Sequence, residues 1–141
     1  MAMEWKRICC PVDFSEPARA GLLVATDLSR RLGSELVLLE AKADHRVAEE
    51  LPRAADELEA WKGEAERLGV PHVTVARTGG PPEVAIVAFA ADTGVDLIVM
   101  GTHGREDREH MIAGSVAESV VRHAPCPVLT VRPRSKAAGS K

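Results

Sequence analysis

The stretch from Asp96 to Val121 constrains this chain more than any other. Leu97-Ile98-Val99-Met100 is a short unbroken apolar run, led by Asp96 and closed by Gly101. Such a run reads as a strand buried on both faces of a parallel sheet. Thirteen residues after Gly101, Gly114 and Ser115 open a second segment. Its apolar positions Val116, Ala117, Val120, Val121 and Ala124 keep helical spacing, while Glu118 and Arg122 pair four apart on the other side. The pattern predicts a strand ending at Gly101 and a helix starting near Ser115.

Between strand and helix, Gly101, Gly104 and Gly114 let backbone N–H groups turn into one concavity with no side chain in the way. The partial positive charge of a helix N-terminus and the Ser115 hydroxyl would share that space, so phosphate is its natural occupant. Each glycine taken alone could equally make a turn. Strand, glycine loop, Gly-Ser and helix in this order favour the anion.

Along the rest of the chain, Arg7 to Val12 reads as a first strand, with Pro11 tolerated near its end. Asp13 then stands just past a strand's carboxyl end. Ser15-Glu16-Pro17 supplies a capping hydroxyl and a first-turn proline for a helix with the stripe Leu22, Ala25, Leu28 and Leu32, up to Gly33. Glu35 to Ala41 gives a second strand. Val47, Leu51, Ala54, Leu58, Trp61, Ala65 and Leu68 space an amphipathic helix that stops at Gly69. Pro52 suits a first turn, so the regular helix is expected from Leu51. His72 to Arg77 reads as the third strand, Pro82 to Thr93 as a third helix ended by Gly94, and Pro127 to Arg132 as the fifth strand. Residues 134–141 read as a disordered basic tail behind a single domain over residues 1–133.

Strands alternating with helices predict a doubly wound, five-stranded parallel α/β sheet with helices on both faces. The residues alone leave strand orders 3-2-1-4-5 and 2-1-3-4-5 open. Ligands in such sheets lie beyond the carboxyl ends of the strands at a switch point. The two loops with chemical content, Pro11 to Ser15 and Gly101 to Ser115, both follow strands.

With 45% hydrophobic residues over 141 positions the chain can build one core. Eighteen basic residues against 21 acidic, a net charge of -3, argue against a nucleic-acid footprint, and two Trp, two Phe and no Tyr leave no stacking platform for single strands. No apolar stretch approaches the roughly 18 residues of a membrane helix and no leader pattern opens the chain, so no membrane association and a cytoplasmic location are expected. Cys9, Cys10 and Cys126 fit no disulfide framework and read as reduced thiols, with Cys126 between two prolines the one to watch for exposure. His103, His110, His123 and Cys126 follow no metal-ligand spacing, so no metal-binding residues are assigned.

Taken together, Gly101-x2-Gly104-x9-Gly114-Ser115, the preceding Asp96-Leu97-Ile98-Val99-Met100 and the following Val116-Ala117 resemble the nucleotide-binding signature of the universal stress protein family. Ile8-Cys9-Cys10-Pro11-Val12-Asp13-Phe14-Ser15 resembles that family's first strand and Pro-Val-Asp turn, and Ala124-Pro125-Cys126-Pro127-Val128 its last helix-to-strand junction. The resemblance covers roughly residues 4 to 132. It implies an adenine nucleotide alpha-hydrolase-like sheet of order 3-2-1-4-5 and a cytoplasmic, stress-response protein that binds ATP. Adenine would lie near Val12 and Ala41, ribose near Asp13 and Gly101, and the triphosphate on Gly104, Gly114, Ser115 and Val116. Pro11, Ser15, Met100 and His103 complete the expected cofactor-binding set. Asp13 also suits ribose on chemical grounds, since a carboxylate accepts two hydroxyl hydrogen bonds or holds a divalent cation through water.

Glu40-Ala41 departs from the family's His-Val pair at this strand end. The chain has no Walker lysine and no pair of base and orienting group, so nucleotide is expected as a regulatory or structural ligand and not as a rapidly turned-over substrate. Glu106, Asp107 and Glu109 would repel a bare triphosphate, so Mg2+ or Mn2+ is expected with ATP. The last strand lacks charge from Val128 to Val131 and should form a homodimer through its edge, as the resemblance implies. On the third helix Pro82, Ile86, Phe89, Ala90 and Thr93 make one face, and Val84, Val87, Ala88 and Ala91 form a second apolar stripe that could meet a protein partner. The alternative to a nucleotide-binding protein is a nucleotide-free dimeric interaction module on the same scaffold.

Overall fold

The computed structural model describes residues 4–42, 51–102 and 111–133. The described elements run β1 (Arg7–Pro11), α1 (Glu16–Leu32), β2 (Glu35–Lys42), α2 (Leu51–Arg67), β3 (Val73–Gly79), α3 (Pro82–Thr93), β4 (Leu97–Gly101), α4 (Met111–His123) and β5 (Val128–Val131). All strand pairs are parallel and the sheet order is β3-β2-β1-β4-β5, which settles the choice between the two orders. Residues 134–141, expected as a disordered tail, and Val47 of the α2 stripe lie outside the described residues.

Strand alternation divides the core between two faces. Ile8, Cys10, Leu36, Leu38, Leu97 and Val99 join Leu22 and Ala25 of α1 and Leu58 and Ala65 of α2. On the opposite face Cys9, Leu39, Ile98 and Met100 join Ile86 and Ala90 of α3 and Ala117 and Val120 of α4. The apolar runs of β1, β2 and β4 are continuous because both of their faces are covered. No helix among the described residues is long and apolar enough to cross a membrane.

The local signals act as their chemistry demands. Ser15 caps α1, its hydroxyl accepting from the Ala18 N–H at 3.2 Å, with Pro17 in the first turn. Gly33 and Gly94 close α1 and α3 in the left-handed conformation that side chains resist. Glu118 and Arg122 pair at 3.5 Å on α4. At the amino edge of the sheet Asp96 Oδ2 accepts the N–H groups of Lys6 and Arg7, each at 2.9 Å, and Arg7 Nε meets Glu35 Oε1 at 3.0 Å. The acidic residue that leads β4 is therefore a staple between β1 and β4.

Several sequence expectations need correcting. Leu32 is 51% exposed and Leu28 only half-buried, because α1 lays its smaller residues, Ala18, Gly21, Ala25 and Ser29, against the sheet. Leu68 is 44% exposed, beyond the end of α2. β3 is shifted to Val73–Gly79, and β5 starts after Pro127, which has no N–H to give, and stops before Arg132. α4 is already helical at Met111, a turn ahead of Ser115, and takes Gly114 into its first turns, where Met111 and Ala113 are good helix formers. On α3, Ala85 joins the buried face and Val87 packs half-buried on the second core, while Val84 is 60% exposed and Ala88 and Ala91 are exposed.

Among the described glycines, Gly101 and Gly21 make the closest approaches to another element's backbone. A Cβ placed on Gly101 would stand 1.8 Å from the Pro17 carbonyl oxygen, and one on Gly21 would stand 2.9 Å from the Gly101 nitrogen. We predict that Gly101→Ala lowers stability by at least about 1–3 kcal/mol, the range for overpacking. Gly21→Ala should also destabilise, although alanine is the better helix former. Gly63→Ala in α2, where the nearest atom is the flexible end of Arg67 at 3.4 Å, should stabilise by up to about 1 kcal/mol. Urea unfolding of the three variants reads both signs. Burial pushes the Cys10 thiol up to about 12 and Cys9 well above its ordinary value, and partial burial with the Asp96 charge raises Cys126. Iodoacetamide at pH 8 should therefore leave Cys9 and Cys10 unmodified in the folded protein, with Cys126 reacting slowly and all three reacting in denaturant.

Candidate functional site

The chain leaves β1 at Pro11 and turns into α1 within four residues. Pro11 and Val12 are buried, Val12 donating its N–H to the Leu39 carbonyl at 2.8 Å. Asp13 is exposed at the carboxyl end of β1. Its Oδ1 accepts from the Ser15 N–H at 3.1 Å and from the Ser15 hydroxyl, whose oxygen in turn accepts from Ala18. One oxygen of Asp13 is thus committed to the helix cap. Oδ2 has no hydrogen bond among the described residues. Cap and ligand roles divide between the two oxygens of one carboxylate.

Phe14 holds this turn in an unusual way. Its φ is 64°, in the left-handed region that costs a bulky residue on the order of 1–3 kcal/mol. Its ring meets Trp61 of α2 edge-on, with centroids 5.2 Å apart and planes at 84°. Arg19 of α1 lies 5.8 Å over the same indole and pairs with Glu64. Sequence reasoning assigned Trp61 to the core and passed over Phe14, and only the folded chain brings them together.

β1 and β4 are neighbours, so Gly101 ends beside the Asp13 turn. Its lack of a side chain has a structural cause, the Pro17 carbonyl lying against it. Met100 is 5% exposed, packed in the second core and paired with Thr130 of β5, so it supports this edge from within the sheet. Ala41 is half-buried near the end of β2 and pairs with Thr78. The Thr78 hydroxyl oxygen is buried with no hydrogen-bond partner among the described residues, an orphaned polar atom beside the position expected to meet adenine. Next to them Glu40, 2% exposed, pairs with Arg77 at 3.1 Å across the register Glu40↔Arg77. The residue that replaces the family's histidine is thus a buried, paired carboxylate. Neither Thr78 nor Arg77 stood out in the sequence, although opposed charges at matched strand positions were a usable signal for the second.

α4 closes the other side. Ser115 is exposed and Val116 half-buried against the second core. Gly114 and Ser115 lie within α4, one turn in from Met111. His103, Gly104 and the acidic positions Glu106, Asp107 and Glu109 lie outside the described residues. His123 is exposed at the far end of α4, its Nδ1 3.0 Å from the Ser119 carbonyl oxygen. No group of three or more potential metal ligands occurs among the described residues.

The carboxyl ends of the strands bring together an exposed carboxylate at Asp13, a side-chain-free strand end at Gly101 and a small residue at Ala41 with the buried Thr78 hydroxyl beside it. That set suits a ligand rich in hydroxyl and ring-nitrogen groups.

The chain was also compared with known proteins. The model of the universal stress protein family matches residues 4–132. A universal stress protein of Staphylococcus haemolyticus is 33% identical over 142 residues, spanning 92% of this chain and 86% of that one. The structure of universal stress protein UspA from Lactobacillus plantarum superposes with a TM-score of 0.79 at 26% identity, over 93% of this chain and all of the other. A universal stress protein from Archaeoglobus fulgidus solved in complex with dAMP shares the fold, with a TM-score of 0.72 at 24% identity over 92% of this chain and 99% of that one. The match from residue 4 to residue 132 takes in every described strand and helix together with the Pro-Val-Asp turn and the Gly-Ser helix, and the chain therefore belongs to the universal stress protein family.

Proposed function

We propose that this protein binds ATP at the carboxyl edge of its sheet as a regulatory ligand of a cytoplasmic stress response. The observation that carries this reading is the Asp13 carboxylate, held by Ser15 through one oxygen and open at the other, at the switch point where β1 has β2 on one side and β4 on the other. Asp13 Oδ2 would accept the ribose hydroxyls, and the strand ends at Val12 and Ala41 would receive adenine, with Thr78 as a buried hydroxyl beside it. Gly104, Gly114, Ser115 and the start of α4 would meet the phosphates. That the same fold holds dAMP in the Archaeoglobus protein supports an adenine nucleotide as the ligand class. Mg2+ or Mn2+ would enter with the triphosphate, neutralising phosphate oxygens that Glu106 and Asp107 would otherwise repel. Among the described residues no base stands with an orienting partner, and in this reading the nucleotide acts by occupancy.

Asp13→Asn keeps an acceptor for Ser15 and removes the charge. It should leave the thermal midpoint nearly unchanged and weaken Mg-ATP binding by on the order of 1.5–3 kcal/mol, the value of a hydrogen bond to a charged group. Ser115→Ala should weaken binding in the same direction. Calorimetry showing parental ATP affinity in both variants would sink this site assignment.

In this proposal the protein is also a homodimer. β5 is an edge strand whose Leu129 is 40% exposed, and an edge of unpaired N–H and C=O groups is satisfied by antiparallel pairing with a second copy. Val131 packs on the first core, so a charge there would test folding; Leu129→Lys is the discriminating change. Light scattering should show a dimer for the parent and a monomer for Leu129→Lys, and a parent that is monomeric at micromolar concentration would remove the dimer from the proposal.

A further inference from the structure

We infer that Trp61 is a positioning residue for the nucleotide site, acting through Phe14, and that it couples site occupancy to α2. The inference rests on the nucleotide reading of Asp13. Phe14 is the sole non-glycine residue with positive φ among the described residues, and it sits between the two residues that form the cap, Asp13 and Ser15. A backbone conformation unfavourable for phenylalanine persists only where surrounding contacts impose it. The contact that does so here is the edge-on packing of Phe14 against Trp61, backed by Arg19 over the same indole and tied to Glu64 one turn further along α2. Every one of these contacts joins the Asp13 turn or the first turns of α1 to α2 and to no other element. They lie on the face opposite α3 and α4, where half-buried Phe14 and Trp61 cover the end of the first core. Rotation of Phe14 out of this conformation would swing Asp13 and release Ser15. The direction of Asp13 Oδ2 is therefore set from α2, and linkage requires the converse: a ligand that holds Asp13 must steady α2.

The test uses the full chain with Mg-ATP as probe and reads amide hydrogen exchange beside affinity. Trp61→Ala should accelerate exchange at the Ser15 and Ala18 amides without ligand and weaken ATP binding by about tenfold, as small misplacements of a binding group do. Trp61→Phe, which keeps a ring for Phe14, should restore both. In the parent, ATP should slow exchange along α2, and in Trp61→Ala it should not. Should Trp61→Ala fail to fold, Phe14→Gly substitutes for it, since glycine accepts the turn but loses the anchor. Parental ATP affinity in a folded Trp61→Ala, or unaltered exchange at Ser15 and Ala18, overturns the inference and leaves the Asp13 site standing. If Asp13→Asn binds as the parent does, the site reading itself fails and the positioning role falls with it.

Discussion

The contact of the Pro17 carbonyl with Gly101 is the constraint on which the rest of this structure depends. It lets the first turn of α1 lie directly on the end of β4, closer than any side chain would permit. Gly21, one turn later, continues the approach against the same strand end. Because α1 also follows β1, this one contact determines how the β1 turn, the helix cap and the end of β4 sit together. A glycine that the sequence pattern connects with phosphate is thus required first by packing, and the open strand end follows from it. Both reasons hold at one position without conflict.

The two edges of the sheet are built for different purposes. At the amino edge most polar groups satisfy one another, Asp96 with the Lys6 and Arg7 amides, Arg7 with Glu35 and the Thr93 carbonyl, and Ser34 with the Trp5 carbonyl, while the buried Ser29 hydroxyl has no partner among the described residues. At the carboxyl edge they do not, since Asp13 keeps an oxygen and Thr78 a hydroxyl without partners among the described residues. A buried hydroxyl without a partner is costly for stability alone. In the proposed function Asp13 and Thr78 stand at the edge where parallel α/β sheets receive ligands, and the nucleotide would meet them there.

α2 has a part in this that its amphipathic pattern does not show. It covers the first core through Leu58 and Ala65 as any packing helix would, and through Trp61 and Glu64 it also grips Phe14 and Arg19. The site is consequently supported from a helix distant in the chain, and a residue that looks like filler stands behind the one carboxylate with most chemical content.

The sequence by itself determined the elements and their class, because these depend on local chemistry. Apolar runs closed by glycine became strands, Ser15 and Pro17 started α1, and Gly33 and Gly94 stopped two helices where only glycine is at ease. The glycine signature and the Pro-Val-Asp turn were enough to identify the family. Tertiary structure alone decided what depends on residues far apart meeting. It chose order 3-2-1-4-5, which no periodicity encodes, and put Leu32 in water by packing the small residues of α1 inward. It matched Glu40 with Arg77 through strand register, split the Asp13 carboxylate between cap and open oxygen, and placed Trp61 against a strained Phe14. Period and propensity report which face of an element is apolar; which atoms of another element that face then meets is fixed only when the chain closes on itself.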